Sequence, residues 1–340
     1  MNLKTFIEQM PKVELHVHLE GATQPATLLE LAIKNGVQLP YDSVEGLQKW
    51  YEFRDFDHFI EIYLSISDCI QSADDIEWLA KEFLIGQAVQ NICYSEVTYT
   101  PLTHYLQHNI PFEDQLAALN RARAWAIQEL GVDMGIVLDI PRHRSPEEGI
   151  LCAEWAISAY GRGVVAFGLG GAEIGNPPAK FQEAFNMTNA AGIPSVPHAG
   201  ETEGPASIWS AIKDLQAVRI GHGVRCLEDP ELVDYIREEG IVLEVNPSSN
   251  ICLGVYKDFE SHPMAQLMEA GLKVTLNSDD PPMFNTTLTN EYIKASQTWG
   301  WDESTLEKLV FEALNASFLP EWQKENWCDE FSKQFQQLKA

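Results

Sequence analysis

Eight short β-rich runs alternate with helical stretches along this chain, and that alternation narrows the folds open to it. The runs read VELHVHL (13–19), NICYSEVTYT (91–100), DMGIVLDI (133–140), VVAFGLGG (164–171), IPSVPHAGE (193–201), AVRIGHG (217–223), IVLEVNPSS (241–249) and KVTLNSDD (273–280). Several are mostly apolar without strict alternation, as expected for strands covered on both faces. Between them lie helix-like segments such as FEDQLAALNRARAWAIQELG, PEEGILCAEWAISAYG and DPELVDYIREEG. Their terminal Gly is a usual C-cap residue. Eight strand–helix units over about 250 residues is the count of a (β/α)8 TIM barrel. An open doubly wound α/β sheet alternates in the same way and is the structural alternative. The connection after the first strand, residues 21–90, is unusually long and carries its own helical patterns. It is expected to lie over the barrel mouth as a helical lid insertion. Extra helices follow the eighth strand, and residues 1–340 read as one barrel domain.

Composition excludes some functions. Fifty acidic residues against 23 basic ones give a net charge of −27. A dispersed acidic surface of that kind repels nucleic acid and anionic membrane, so neither is expected as a partner. No run is long and apolar enough to span a bilayer, and the N-terminus has no signal-peptide core. The six cysteines are scattered, without a C-x-x-C pair, and read as buried reduced thiols of a cytoplasmic protein.

Chemistry gathers at the strand ends. His16 and His18 stand two apart in the first strand, so both side chains project from one face. Such a pair chelates a metal or is simply polar, and other strands must supply the remaining ligands. His198 ends the fifth strand and Asp279 the eighth, where barrel active sites are built. Three imidazoles and a carboxylate suit a catalytic zinc that keeps a position open. Such an ion lowers the pKa of bound water from about 15.7 to roughly 7. The fourth strand ends GLGGAE, with no Lys to bridge a second metal, so one zinc per chain is expected. Glu201, three residues after His198, is placed to shuttle a proton. His222 orients or deprotonates the attacking water; alternatively it is a fourth nitrogen ligand or a core histidine. Asp280 turns toward the substrate, or caps the helix that follows. The other histidines (58, 104, 108, 143 and 262) read as surface or supporting residues.

PKVELHVHLEGA, HAGE, RIGHG and NSDDPPMF, in this order and at these spacings, resemble the adenosine deaminase family of amidohydrolase barrels. The resemblance covers essentially the whole chain. It implies a zinc-dependent hydrolase that replaces the 6-amino group of a purine nucleoside by oxygen, releasing ammonia. By motif, His16, His18, His198 and Asp279 match the zinc ligands, with His18 also bordering the substrate. Glu201 matches the residue that protonates purine N1, and His222 the residue beside the attacking water. Asp280 matches the partner of N7, and Gly171 the backbone donor to N3.

The chain departs from the family pattern where the substrate beyond the ring is held. Glu20 stands where adenosine deaminases carry the Asp that binds the ribose 5′-hydroxyl. The fourth strand ends GLGGAE instead of D-L-A-G-D-E, and NPSSN replaces C-P-x-S-N. These differences leave adenosine as the default substrate. Adenine and 6-aminodeoxyfutalosine, a benzoate-bearing adenosine derivative of menaquinone biosynthesis, are the alternatives. A charged Glu20 near the ribose is expected to exclude a 5′-phosphate. The basic turn IPRHRSPE offers Arg142 as a contact for a substrate tail, or as a plain solvated turn. Two rivals are a nucleoside binder without activity and a zinc hydrolase of esters or amides on the same barrel.

Overall fold

The computed structural model describes residues 1–53 and 56–340, with 56 and 57 described by backbone alone. Eight parallel strands follow one another in sequence order: β1 (Lys12–His18), β2 (Ile92–Tyr99), β3 (Asp133–Pro141), β4 (Val164–Gly170), β5 (Ser195–Ala199), β6 (Arg219–His222), β7 (Val242–Val245) and β8 (Lys273–Leu276). Sequential order is that of a barrel, not of a doubly wound sheet, whose order reverses at a switch point. The first and last strands meet at a parallel bridge between Val17 and Asp279. There the His18 N–H donates to the Asp279 carbonyl at 2.9 Å, and the Asp279 N–H to the His16 carbonyl at 3.1 Å. One turn lower, the Leu15 N–H donates to Asn277 Oδ1 at 2.9 Å. The molecule is a (β/α)8 barrel.

Helices form where local sequence dictates them. Ser145 and Glu148 make a reciprocal capping box at the start of Pro146–Ala159. Asp229 caps Pro230–Glu239, and Gly240, at φ 68°, ends it in the left-handed conformation. The long first connection holds Pro25–Asn35, Val44–Tyr51, Phe56–Cys69 and Ala73–Val89. Phe59 stacks on Phe284, in the loop after β8, with ring centroids 5.8 Å apart. Helix Phe56–Cys69 therefore lies against the carboxyl ends of the strands. After β8 come Leu288–Trp299, Glu303–Ala316 and Glu321–Lys339.

All of β1 is buried. Its outward residues divide between two cores. Val17 and Leu19 join the insertion helices, while Val13 and Leu15 join the C-terminal helices. The barrel interior is unusually polar. Arg219 pairs with Glu96, and its Nε donates to Glu244 Oε1 at 2.7 Å. Arg219 also lies over the Phe318 ring at 4.1 Å. A buried ion pair of this kind survives only when its remaining donors and acceptors are matched. Here the Ala316 carbonyl, at the end of the helix Glu303–Ala316, and the Phe318 N–H just beyond it supply the match.

All six thiols are free. Cys69, Cys152 and Cys226 are buried, but Cys93 and Cys328 are only half-buried and Cys252 is exposed, which corrects the expectation of burial for these three. Among the described residues no helix is long and apolar enough to cross a membrane.

Candidate active site

The strand ends bring His16, His18, His198 and Asp279 together, with one donor atom from each within 4.8 Å of the others. Nε2 of His18 lies 3.1 Å from Nε2 of His198. Asp279 Oδ1 lies 3.3 Å from His18 Nε2 and 3.5 Å from His16 Nε2. The buried His16 Nε2 has no hydrogen-bond partner. Orphaned and face-to-face imidazole nitrogens beside a carboxylate are a costly arrangement unless a cation satisfies them. Burial would lower the pKa of His16, but the neighbouring carboxylates of Asp279 and Glu244 raise it to about 10. Those carboxylates thus make a strong field for positive charge. Burial keeps His18 and His198 below the ordinary histidine range, so their lone pairs are available. The donor set fits a metal ion of the zinc type.

Second contacts hold these ligands. Glu244 Oε2 accepts from His16 Nδ1 at 2.9 Å and so orients the ring. Gly221 allows that ring its place, since a Cβ there would lie 2.8 Å from His16 Cε1. His222 and Asp279 both adopt left-handed backbone, at φ 64° and 65°. Outside glycine this conformation is uncommon and clusters at functional sites. It lets Asp279 and Asp280 turn in different directions.

Glu201, His222 and Asp280 lie beside the cluster. Nε2 of His222 stands 3.7 Å from Glu201 Oε1 and 3.8 Å from Asp279 Oδ2. Burial, reinforced by Asp279 and Glu173, pushes the Glu201 carboxyl up to about 8. Burial and the Asp279 charge push Asp280 well above the usual carboxylate range. Asp280 Oδ1 is buried without a partner. It occupies the space beside Gly21, where a Cβ would fall 1.5 Å from that oxygen. Asp280 does not cap a helix, because the next one, Leu288–Trp299, is capped by Thr287.

Glu20 is 1% exposed. Its Oε1 lies 3.0 Å from His104 Nε2 and accepts from the Thr100 N–H at 3.2 Å. Asp139, not singled out from sequence, ends up nearby. Thr100 Oγ1 donates to it at 2.6 Å, and burial raises its pKa to about 7. A Cβ on Gly170 would meet Asp139 Oδ2 at 2.8 Å, with His198 and His18 Cε1 at 3.7 and 3.9 Å. Asp139 therefore faces the space over the ligand rings. Its signal in the sequence was a lone carboxylate in an apolar strand, VLDIP. The Tyr63 hydroxyl, from the insertion, lies 3.5 Å from Glu20 Oε2. Gly171 is exposed, at φ 94°.

Arg142 does not sit at the mouth, nor on a solvated turn. It is fully buried. Its guanidinium donates to the carbonyls of His198 and, at 2.7 Å, Asn176. The substrate-tail position expected for it is replaced by one behind His198, because Glu173 at 4.0 Å provides a buried counter-charge. Glu173 was also missed in the sequence; it sits under the loop that carries Glu201.

A (β/α)8 barrel with a candidate metal-ligand cluster and flanking carboxyl and imidazole groups at its carboxyl face defines an amidohydrolase-type enzyme. The family model described as adenosine deaminase matches residues 11–334. An aminodeoxyfutalosine deaminase of Streptomyces coelicolor is 40% identical over 331 residues, covering 97% of this chain and 85% of that protein. An adenine deaminase of Crocosphaera subtropica is 37% identical, covering 95% of this chain and 98% of its own. The crystal structure of adenine deaminase from Arthrobacter aurescens superposes with a TM-score of 0.91 at 28% identity, covering 97% of this chain and 100% of that one. The chain belongs to the adenosine deaminase family and is a hydrolase acting on C–N bonds.

Proposed function

We propose that the chain hydrolytically deaminates a phosphate-free 6-aminopurine, with His16, His18, His198 and Asp279 holding one zinc ion. The observation that carries this reading is the gathering of Glu201 and His222 at the ligand cluster, with Asp280 in electrostatic reach of Asp279, His16 and Glu201. A purine ring needs such groups at its nitrogens before C6 can be attacked. Zinc, when bound, supplies a Lewis acid that lowers the pKa of water. Glu201 delivers a proton to N1, so the ring accepts the incoming electron pair at C6. Asp280 faces N7, the Gly171 N–H faces N3, and His222 stands beside the water. Helix Phe56–Cys69 acts as the lid, with Phe59 and Tyr63 shielding the ring from solvent.

The leading substrate is aminodeoxyfutalosine, on the strength of the 40% identical relative of that name. Adenine is the second reading. It is supported by the adenine deaminases and by the buried carboxyls of Glu20 and Asp139, which suit the N–H groups of a small neutral ligand. Adenosine, the parent nucleoside, completes the set. The test is ammonia release from all three and from adenosine monophosphate, using zinc-loaded protein. Turnover of one of the first three with rejection of the monophosphate is expected. No ammonia from any of them would overturn the reading.

A further inference from the structure

We propose that His262 and Asn250 act as positioning residues that fix the tautomer of His222. His222 then meets the site as a hydrogen-bond donor through Nε2.

The chain of contacts starts at a group that has no choice. The main-chain N–H of Met264 points at Nδ1 of His262, 3.3 Å away. A peptide N–H can only donate, so that nitrogen is the acceptor and the ring hydrogen sits on Nε2. Burial lowers the His262 pKa to about 3 and keeps the ring neutral. Its Nε2 lies 3.1 Å from Asn250 Oδ1. That contact orients the Asn250 amide and sends its Nδ2 toward His222 Nδ1, at 3.2 Å.

Asn246 leads independently to the same result. Its Nδ2 donates to the Glu244 carbonyl at 3.1 Å, which settles which end of the amide is nitrogen. The same Nδ2 lies 3.4 Å from His222 Nδ1. Two amide NH2 groups thus face one ring nitrogen. Nδ1 must be the unprotonated one, and the hydrogen lies on Nε2. Nε2 is the atom turned toward Glu201 and Asp279. His222 therefore presents a hydrogen to that space, where an oxygen of the reacting water would accept it. The link to the reacting water rests on the function proposed above; the tautomer itself does not.

Neutron diffraction from perdeuterated crystals tests the tautomer without any substrate. Deuterium is expected on Nε2 of both His222 and His262, and absent from Nδ1 of each. Deuterium on Nδ1 of His222 would overturn the proposal. Kinetics supply the second arm. Asn250→Asp keeps the shape but offers His222 Nδ1 an acceptor, which reverses the ring. A fall in kcat of about 10–100-fold with little change in KM is expected, and a wild-type kcat would overturn the proposal. His262→Gln retains a donor for Asn250 and should keep most of the rate that His262→Leu loses. Equal rates in those two variants would also count against it. Deuterium on Nε2 in an enzyme that deaminates no purine would sink the function and leave the tautomer standing.

Discussion

The main-chain N–H of Glu201 donates to the carboxylate of Glu173 at 3.0 Å, across 28 positions of sequence. The same carboxylate accepts from the N–H groups of Gly200, Thr202 and Glu203, at 2.8, 2.7 and 2.9 Å. The Ser207 hydroxyl adds a fifth donor at 2.7 Å. Glu173 thus clasps the loop after β5 and sets where the Glu201 side chain begins. Burial alone would raise its pKa, but these donors and Arg142 hold it below the ordinary value.

Glu173→Gln should therefore disturb both stability and rate. Its amide turns an NH2 group toward donors that need an acceptor. A loss of at least about 1.5–3 kcal/mol is expected in denaturant unfolding at neutral pH. The sign with pH follows from linkage. A carboxyl depressed on folding stabilises above its unfolded pKa and loses that contribution as pH falls through the folded one. The gap between wild type and variant should narrow below the unfolded value of 4.5. A gap that stays constant to strongly acid pH would show that the charge of Glu173 is not what stabilises the loop.

Asp279→Ala is expected to purify with much less metal and little activity. Metal analysis of the purified variant decides the point. Full zinc occupancy would remove Asp279 from the ligand set.

Glu201→Gln should keep its fold and its zinc while losing turnover, because an amide cannot deliver the N1 proton. The expected loss is about 10²–10⁴-fold in kcat, the range for general acid–base groups. Near wild-type turnover with full metal content would reject the role.

Arg142→Ala should lower kcat on every substrate that the enzyme accepts. The guanidinium holds the His198 carbonyl from behind, so its loss should loosen a ligand and lower the melting temperature together. Selective loss on aminodeoxyfutalosine, with adenine turnover intact, would restore Arg142 to the substrate tail.

Sequence pattern reached the strands because both-face burial leaves apolar runs of recognisable length, bounded by Gly and Pro. It singled out His16, His18, His198 and Asp279, which the fold brings together, because residue types able to hold a metal recur at strand ends. It did not reach Glu173 or Arg142. Their meaning lies in contacts to loops 28 and 56 positions away, which local spacing does not encode. Arg142 looked like a solvated turn residue because its neighbours His143 and Arg144 are also basic. Glu96, Asp139 and Glu244 were legible in principle. A single carboxylate inside an apolar strand signals a buried partner, here Arg219 for two of them and Thr100 for the third.

The barrel is closed by the main chain of a proposed metal ligand, Asp279, lying between His16 and His18. The seam contact just below it joins residues 262 positions apart. During synthesis on the ribosome, the first two ligands emerge almost at once and wait for nearly the entire chain. No product that stops short of Asp279 has either a closed barrel or a complete set of the proposed ligands. Activity is therefore a report that the last strand has docked. Closure over so long a separation is also a slow step in folding.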